Sequence, residues 1–153
     1  MTNPGFAAAM AISTMLLAAQ RQAPADLAAR LDKARVEGTL VSWCQGQFEA
    51  RRPRAYAVAV TTPPGGGRYI VVDNEGTAVE LARFNGAPDL ACYTPADARK
   101  LNEAIRSSET ISGRIAPLFP TTIVCAFVEE TQAVCWQYSP RSRAFVTVGQ
   151  WQT

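Results

Sequence analysis

Four cysteines are the residues of this chain with the most specific chemistry. Cys44, Cys92, Cys125 and Cys135 are separated by 48, 33 and 10 residues. No CxxC occurs, so the spacing signals neither a dithiol redox motif nor a ribbon-type zinc site. An even count fits two disulfides. Cys125 and Cys135 lie on two apolar runs joined by Glu129, Glu130 and Thr131. A three-residue loop there would set the two cysteines directly opposite one another. The alternative joins Cys92, next to a helix start, to Cys125 and leaves Cys44 with Cys135. A third reading keeps four reduced thiols in a core, since free Cys is among the most buried residue types.

Histidine is absent. That removes the commonest general base and the commonest metal ligand. No Ser-His-Asp or Cys-His mechanism is open to the chain, and a thiol nucleophile has no imidazole to activate it. Zinc could be held only by thiolates and carboxylates, so neither a metal nor another cofactor is expected. Carboxylates alone can hydrolyse glycosides when two of them flank a cleft. Asp73 with Glu75, or Glu80 with Asp89, are the pairs to consider, and no pattern in the sequence brings either into a cleft. Glu129 and Glu130 read as solvated residues at a hairpin tip.

Two further stretches carry binding chemistry. Pro63-Pro64-Gly65-Gly66-Gly67-Arg68 has the glycines of an anion cradle. A phosphate loop leads into a helix N-terminus, whereas a strand follows here, so a hairpin loop is the better reading. Arg51, Arg52 and Arg54 form the densest basic run, and Arg141 and Arg143 a second cluster. These five are the candidate partner-binding residues. The net charge of the chain is only +2, which is a weak footprint for nucleic acid. Thirteen of the fifteen basic residues are Arg, dispersed among acids, which fits a nucleotide-composition bias better than phosphate recognition.

These residues must be positioned by a chain of 153 residues, room for one domain. It is 48% hydrophobic and 18% charged, a globular balance and not a disordered one. Phe6 to Ala19 is a run of fourteen residues without charge. It is short for a membrane span, which needs ~20 residues, and it matches the apolar core of a signal peptide. Residues 1–20 therefore read as a signal peptide or as an N-terminal apolar helix packed on the fold, with a retained anchor as a third option. No basic residue precedes the run. Residues 21–153 read as a single α+β domain.

Within that domain a helix is expected over Ala25 to Glu37, with Leu27, Leu31 and Ala34 on one face and Gly38 at its end. Strands are expected at Thr39–Trp43, Ala55–Thr61, Arg68–Asp73, Thr77–Phe84 and Asp89–Tyr93, separated by turn residues. Thr94 caps a second helix with Pro95 in its first turn and Asp97 at the positive dipole end. Ile111 to Pro120 reads as irregular, and Thr121–Val128, Ala133–Tyr138 and Ala144–Gln150 as closing strands. The fold class is α+β: an antiparallel sheet of about six to seven strands with two or three helices packed on one face. Ligand-sensor and profilin-like folds share this order of elements. Trp43 and Trp136 adjoin Cys44 and Cys135, so each tryptophan is expected beside a disulfide. Trp151 is expected to be the least constrained aromatic.

The function these features fit is a small exported, disulfide-stabilised, non-enzymatic domain of the periplasm or the medium that binds a protein or small ligand. The alternatives are a cytoplasmic sensor or assembly module with reduced cysteines, and a carboxylate-only hydrolase. Neither nucleic acid nor a stable membrane span is expected among its partners.

Overall fold

Strand Ala55–Thr61 reads AYAVAVT. Ala55, Ala57 and Ala59 project to one side of the strand and Tyr56, Val58 and Val60 to the other, and all six are buried. Its alternation is therefore small against large, not apolar against polar. Such a strand belongs to a sheet covered on both faces. Ile70, Val71 and Val72 repeat the signature, as do Ile123, Val124, Cys125 and Ala126.

The computed structural model describes residues 23–85, 88–128 and 132–152. The elements run α1 (Ala25–Lys33), β1 (Thr39–Gly46), β2 (Ala55–Thr61), β3 (Gly67–Val72), β4 (Ala78–Phe84) and β5 (Pro88–Tyr93). After them come α2 (Pro95–Arg106), β6 (Ser112–Ile115), β7 (Ile123–Val128), β8 (Gln132–Ser139) and β9 (Ala144–Gln152). Two sheets result. One is the four-stranded meander β1-β2-β3-β4, the other is five-stranded in the order β5-β7-β8-β9-β6. Every pairing in both is antiparallel.

Three apolar layers follow. Ala57, Ala59, Tyr69 and Val71 of the first sheet meet Leu90, Val124, Ala126 and Trp136 of the second in one core. Tyr56, Val58, Val60, Ile70 and Val72 pack on Leu27, Leu31 and Ala34, so α1 covers the outer face of the first sheet. Ile123, Cys125, Cys135, Val148 and Trp151 pack with Ala98, Leu101 and Ile105, so α2 covers the outer face of the second. The expectation of one sheet with helices on one face is corrected: among the described residues nine strands form two sheets, and one helix lies outside each. Apolar residues on both faces of β2, β3 and β7 require this, because a singly covered sheet would expose every second one.

The helices are set by their ends. Thr94 and Asp97 form a reciprocal cap on α2, with the Asp97 amide donating to Thr94 Oγ1 at 3.1 Å. Helix α1 stops at Lys33, four residues before the expected end. Arg35, at φ +55°, takes the left-handed position expected for Gly38. Its amide donates to the Asp32 carbonyl, and the Val36 amide to that of Leu31, which closes the helix as a Schellman turn. Ile111–Pro120 is not wholly irregular, since β6 lies within it and pairs with β9. Asn102 of α2 specifies that strand: its amide nitrogen donates to the Ile115 carbonyl at 2.6 Å, and its oxygen accepts from the Ile115 amide at 2.8 Å. Among the described residues no helix is long and apolar enough to cross a membrane. The apolar run within residues 1–20 lies outside the described residues, as does the link of Glu129, Glu130 and Thr131.

Candidate functional site

The four cysteines form two disulfides, Cys44–Cys92 and Cys125–Cys135. Cys125 and Cys135 stand opposite one another on β7 and β8, with Cα atoms 4.1 Å apart, and both are fully buried. Cys44 and Cys92 are half-buried and join β1 to β5, the end strands of the two sheets that lie side by side. No backbone ladder crosses between these strands. Ser42 bridges them beside the disulfide, donating to Asp89 Oδ1 at 3.2 Å and accepting from the Leu90 amide at 3.2 Å. With both pairs oxidised, no thiol is available as a nucleophile.

The tryptophans sit across the strands from their sequence neighbours. Cys44 faces the layer between the sheets, whereas Trp43 packs edge-on against Tyr56 at 6.0 Å on the α1 side. Cys135 faces α2, whereas Trp136 joins the cluster that holds Cys44 and Cys92. Trp136 thus shares a cluster with a disulfide, though not the one its neighbour forms, and Trp43 packs on the face away from Cys44, because neighbours in a strand point to opposite faces. The expectation for Trp151 is corrected. It is 8% exposed, packs edge-on against Phe127 at 5.6 Å, and shares its cluster with Cys125 and Cys135.

At one end of the layer between the sheets a cavity of about 330 Å³ opens between the β1–β2 loop, the β3–β4 turn and the β8–β9 hairpin. Phe48, Tyr138 and Phe145 line it. The Phe145 ring meets those of Phe48 and Tyr138 edge-on, at 6.2 and 5.5 Å. Val71 and Val79 complete the apolar wall. The rim is polar and mainly acidic, with Glu49, Asp73 and Glu75 against the single cation Arg52. Glu49 neutralises that cation through an ion pair of 3.0 Å. Asp73 holds the turn, its Oδ1 accepting from the amides of Glu75 and Thr77 at 2.9 and 2.8 Å. An apolar floor with few convergent polar groups is the usual form of a small-ligand site.

The basic run is divided by the loop that carries it. Arg52 lines the aromatic cavity, while Arg51 and Arg54 line a second cleft of about 520 Å³ on the other side. Arg141 and Arg143 are exposed on the β8–β9 turn, which is placed at the same end of the fold by the Phe48–Phe145 contact. The carboxylate pairs are engaged elsewhere. Glu80 takes ion pairs from Arg68 at 3.7 Å and Arg83 at 2.9 Å, and Asp89 accepts from Ser42. Asp73 and Glu75 share the rim just described. Pro63 to Gly66 lie in the β2–β3 hairpin loop, closed by the Thr62 amide donating to the Gly66 carbonyl at 3.1 Å, and Gly67 and Arg68 open β3.

Phe48, Tyr138 and Phe145 are the lining residues that sequence reasoning did not assign to a site. One signal was present: Phe48 is the lone large apolar residue in the polar stretch Gln45–Arg54. Comparison of the chain with protein-family models, with curated proteins and with solved structures finds no match.

Proposed function

We propose that this chain is an exported, non-enzymatic binding domain of the periplasm or the extracellular medium, and that the aromatic-walled cavity holds its ligand. Two disulfides favour an oxidising compartment, and the apolar run at Phe6–Ala19 supports export. The observation that carries the binding reading is the cavity itself. Tyr138 and Phe145, both half-buried, line it beside the buried Phe48 ring, under a rim where carboxylates outnumber the one, already paired, guanidinium. A flat apolar group bearing an amine or another hydrogen-bond donor fits both surfaces. The ring faces accept the apolar body, and Asp73 and Glu75 accept the donor.

The test is a thermal-shift and NMR screen of aromatic amines, aromatic acids and neutral aromatics at fixed ionic strength. Aromatic amines should bind best and should shift the signals of Phe145 and Val79. Val79 is 43% exposed at the cavity mouth, so Val79→Trp blocks entry without loss of core packing and should abolish binding. Equal binding of all three classes, or binding unaffected by Val79→Trp, would count against the assignment. For export, N-terminal sequencing of protein from the natural host should show removal of the leader. An intact Thr2 in a cytoplasmic fraction refutes that half of the reading.

A further inference from the structure

On the opposite side of the β1–β2 loop, we infer that the second cleft is a separate site for a small organic oxyanion, with Arg51 and Arg54 as its charge-bearing ligands. The cleft has a volume of about 520 Å³ and lies between this loop and the segments leading into α2 and β7. Gln45, Gln47, Tyr93 and Thr94 share its wall with the two arginines, and among the described residues no carboxylate lines it. This is the reverse of the aromatic cavity, where three acids surround one cation.

The arginines of the loop are sorted by charge. Arg52 faces the aromatic cavity and is neutralised by Glu49 at 3.0 Å. Among the described residues neither Arg51 nor Arg54 has a carboxylate within ion-pair distance. Arg54 spends one donor on the Gln45 carbonyl at 3.4 Å and keeps the rest of its fork. Arg51 sits at φ +66°, in the left-handed region. A residue with a Cβ adopts that conformation at a cost, and such outliers persist where the surroundings impose them. Here it belongs to the turn that directs successive arginines into different cavities.

Two polar groups in the wall lack partners or remain neutral. Thr121 is 9% exposed and its hydroxyl, buried beside the cleft, has no hydrogen-bond partner among the described residues. Tyr93 is protonated at neutral pH as any tyrosine is, and burial, then the charges of Asp89 and Asp97, push its phenol further up. It is therefore a donor and not a competing anion. Asp97 is the acid in the first turn of α2. Its carboxylate is committed to the cap, accepting from the Thr94 amide at 3.2 Å and the Thr94 hydroxyl at 2.8 Å. The arginines, not the helix end, supply the attraction.

The cleft is also held in shape before any ligand arrives. The Thr122 amide donates to the Gln47 carbonyl at 2.9 Å, and the Gln47 amide donates to Thr122 Oγ1 at 3.0 Å. This reciprocal pair ties the loop to the segment before β7. Cys92, in the wall, is disulfide-bonded to Cys44. A preformed site loses less entropy on binding. Two guanidinium forks match the paired oxygens of a carboxylate or phosphate. The volume exceeds what a bare inorganic ion fills, so the oxyanion is a substituent on a larger polar molecule of sugar size.

Calorimetry at constant ionic strength tests this with glucose 6-phosphate, glucuronate and glucose as probes. A charged sugar should bind and glucose should not; the stronger of the two charged probes tells phosphate from carboxylate. Arg51→Ala and Arg54→Ala should each weaken binding about tenfold or more, the scale of one lost charge-assisted pair, with an unchanged melting temperature because both side chains are exposed. Arg52→Ala and Val79→Trp should leave it intact, which separates this site from the aromatic cavity. Absence of binding by either charged probe at millimolar concentration overturns the inference. So does an equal loss in Arg52→Ala, which would mark a general surface charge.

Discussion

The two disulfides should open in a fixed order, at unequal cost. Cys44 and Cys92 are half-buried and close a segment of 48 residues; Cys125 and Cys135 are fully buried and close one of 10. Loop-closure entropy makes the first bridge worth ~4 kcal/mol and the second ~3 kcal/mol. The closed segments do not overlap, so the two contributions add to ~7 kcal/mol, against a typical domain stability of ~5–15 kcal/mol. Mild reductant under native conditions should therefore reach Cys44–Cys92 first and leave a folded, singly bridged protein. Its melting temperature should lie about 15 °C lower, taking ~2.1 cal/mol/K of unfolding entropy per residue. The assay is timed reduction, alkylation and peptide mapping, paired with calorimetry. To isolate each crosslink, the oxidised and reduced forms of Cys125→Ala/Cys135→Ala are compared, then those of Cys44→Ala/Cys92→Ala. This comparison keeps the sulfur atoms in place, so no cavity term enters. Alkylation of Cys125 and Cys135 before Cys44 and Cys92 would refute the reasoning. A larger loss from the ten-residue bridge would refute it too.

Three other outcomes follow from buried polar groups. Gln137 is fully buried; its oxygen accepts from the amides of Leu118 and Phe119, and its nitrogen donates to the carbonyls of Phe119 and Thr121. Gln137→Leu strands those groups and should cost about 2–4 kcal/mol in chemical denaturation; a loss below about 1 kcal/mol would contradict the network. Asn102→Ala removes both bonds to Ile115 and should destabilise by about 1–2 kcal/mol, with faster amide exchange confined to β6 and the end of α2. Tyr69 lies between the sheets with its hydroxyl unpartnered, and burial, then the charge of Asp89, pushes its phenol up to about 12. The unfolded chain releases that proton near pH 10. The stability from this group is therefore complete below pH 10 and falls by about 3 kcal/mol as pH rises through 12. Tyr69→Phe should be neutral or stabilising at pH 7 and should flatten the alkaline fall, with equal alkaline curves for both proteins as the contrary result.

Local features of this fold are readable in its sequence because local chemistry decides them. Thr94, Pro95 and Asp97 specify where α2 starts without help from the rest of the chain. The register of β7 with β8, which sets Cys125 opposite Cys135, agrees with the spacing of the two apolar runs in the same way. The number of sheets is a longer-range property. Its clue is the large-and-small alternation of Ala55–Val60, which resembles half-buried strands until the absence of polar residues is weighed. The end of α1 is less readable, because Arg35 takes a conformation that glycine would be expected to hold. The candidate sites are least readable of all. Arg51, Arg52 and Arg54 form one basic run in sequence, and only the loop's path divides them between two cavities. Phe48 is far in the chain from Tyr138 and Phe145, which the pairing of β8 with β9 sets opposite one another.

The position of the half-buried bridge joins compartment to the proposed function. Cys44 lies on β1, two residues before Gly46, and β1 runs directly into the loop that separates the two cavities. A Cβ on Gly46 would collide with the side chain of Thr122, the residue that exchanges hydrogen bonds with Gln47. Close backbone approach, the Thr122 bonds and the disulfide therefore act on one short stretch. Beyond it, the Phe48 ring enters the aromatic cavity and the Arg51 and Arg54 side chains enter the cleft. Loss of the Cys44–Cys92 bond leaves the two sheets joined at this edge by Ser42 and apolar packing. A reducing compartment would thus weaken the wall shared by both sites before it unfolded either sheet. If the two cavities bind as proposed, oxidation is a condition for that binding as well as for stability.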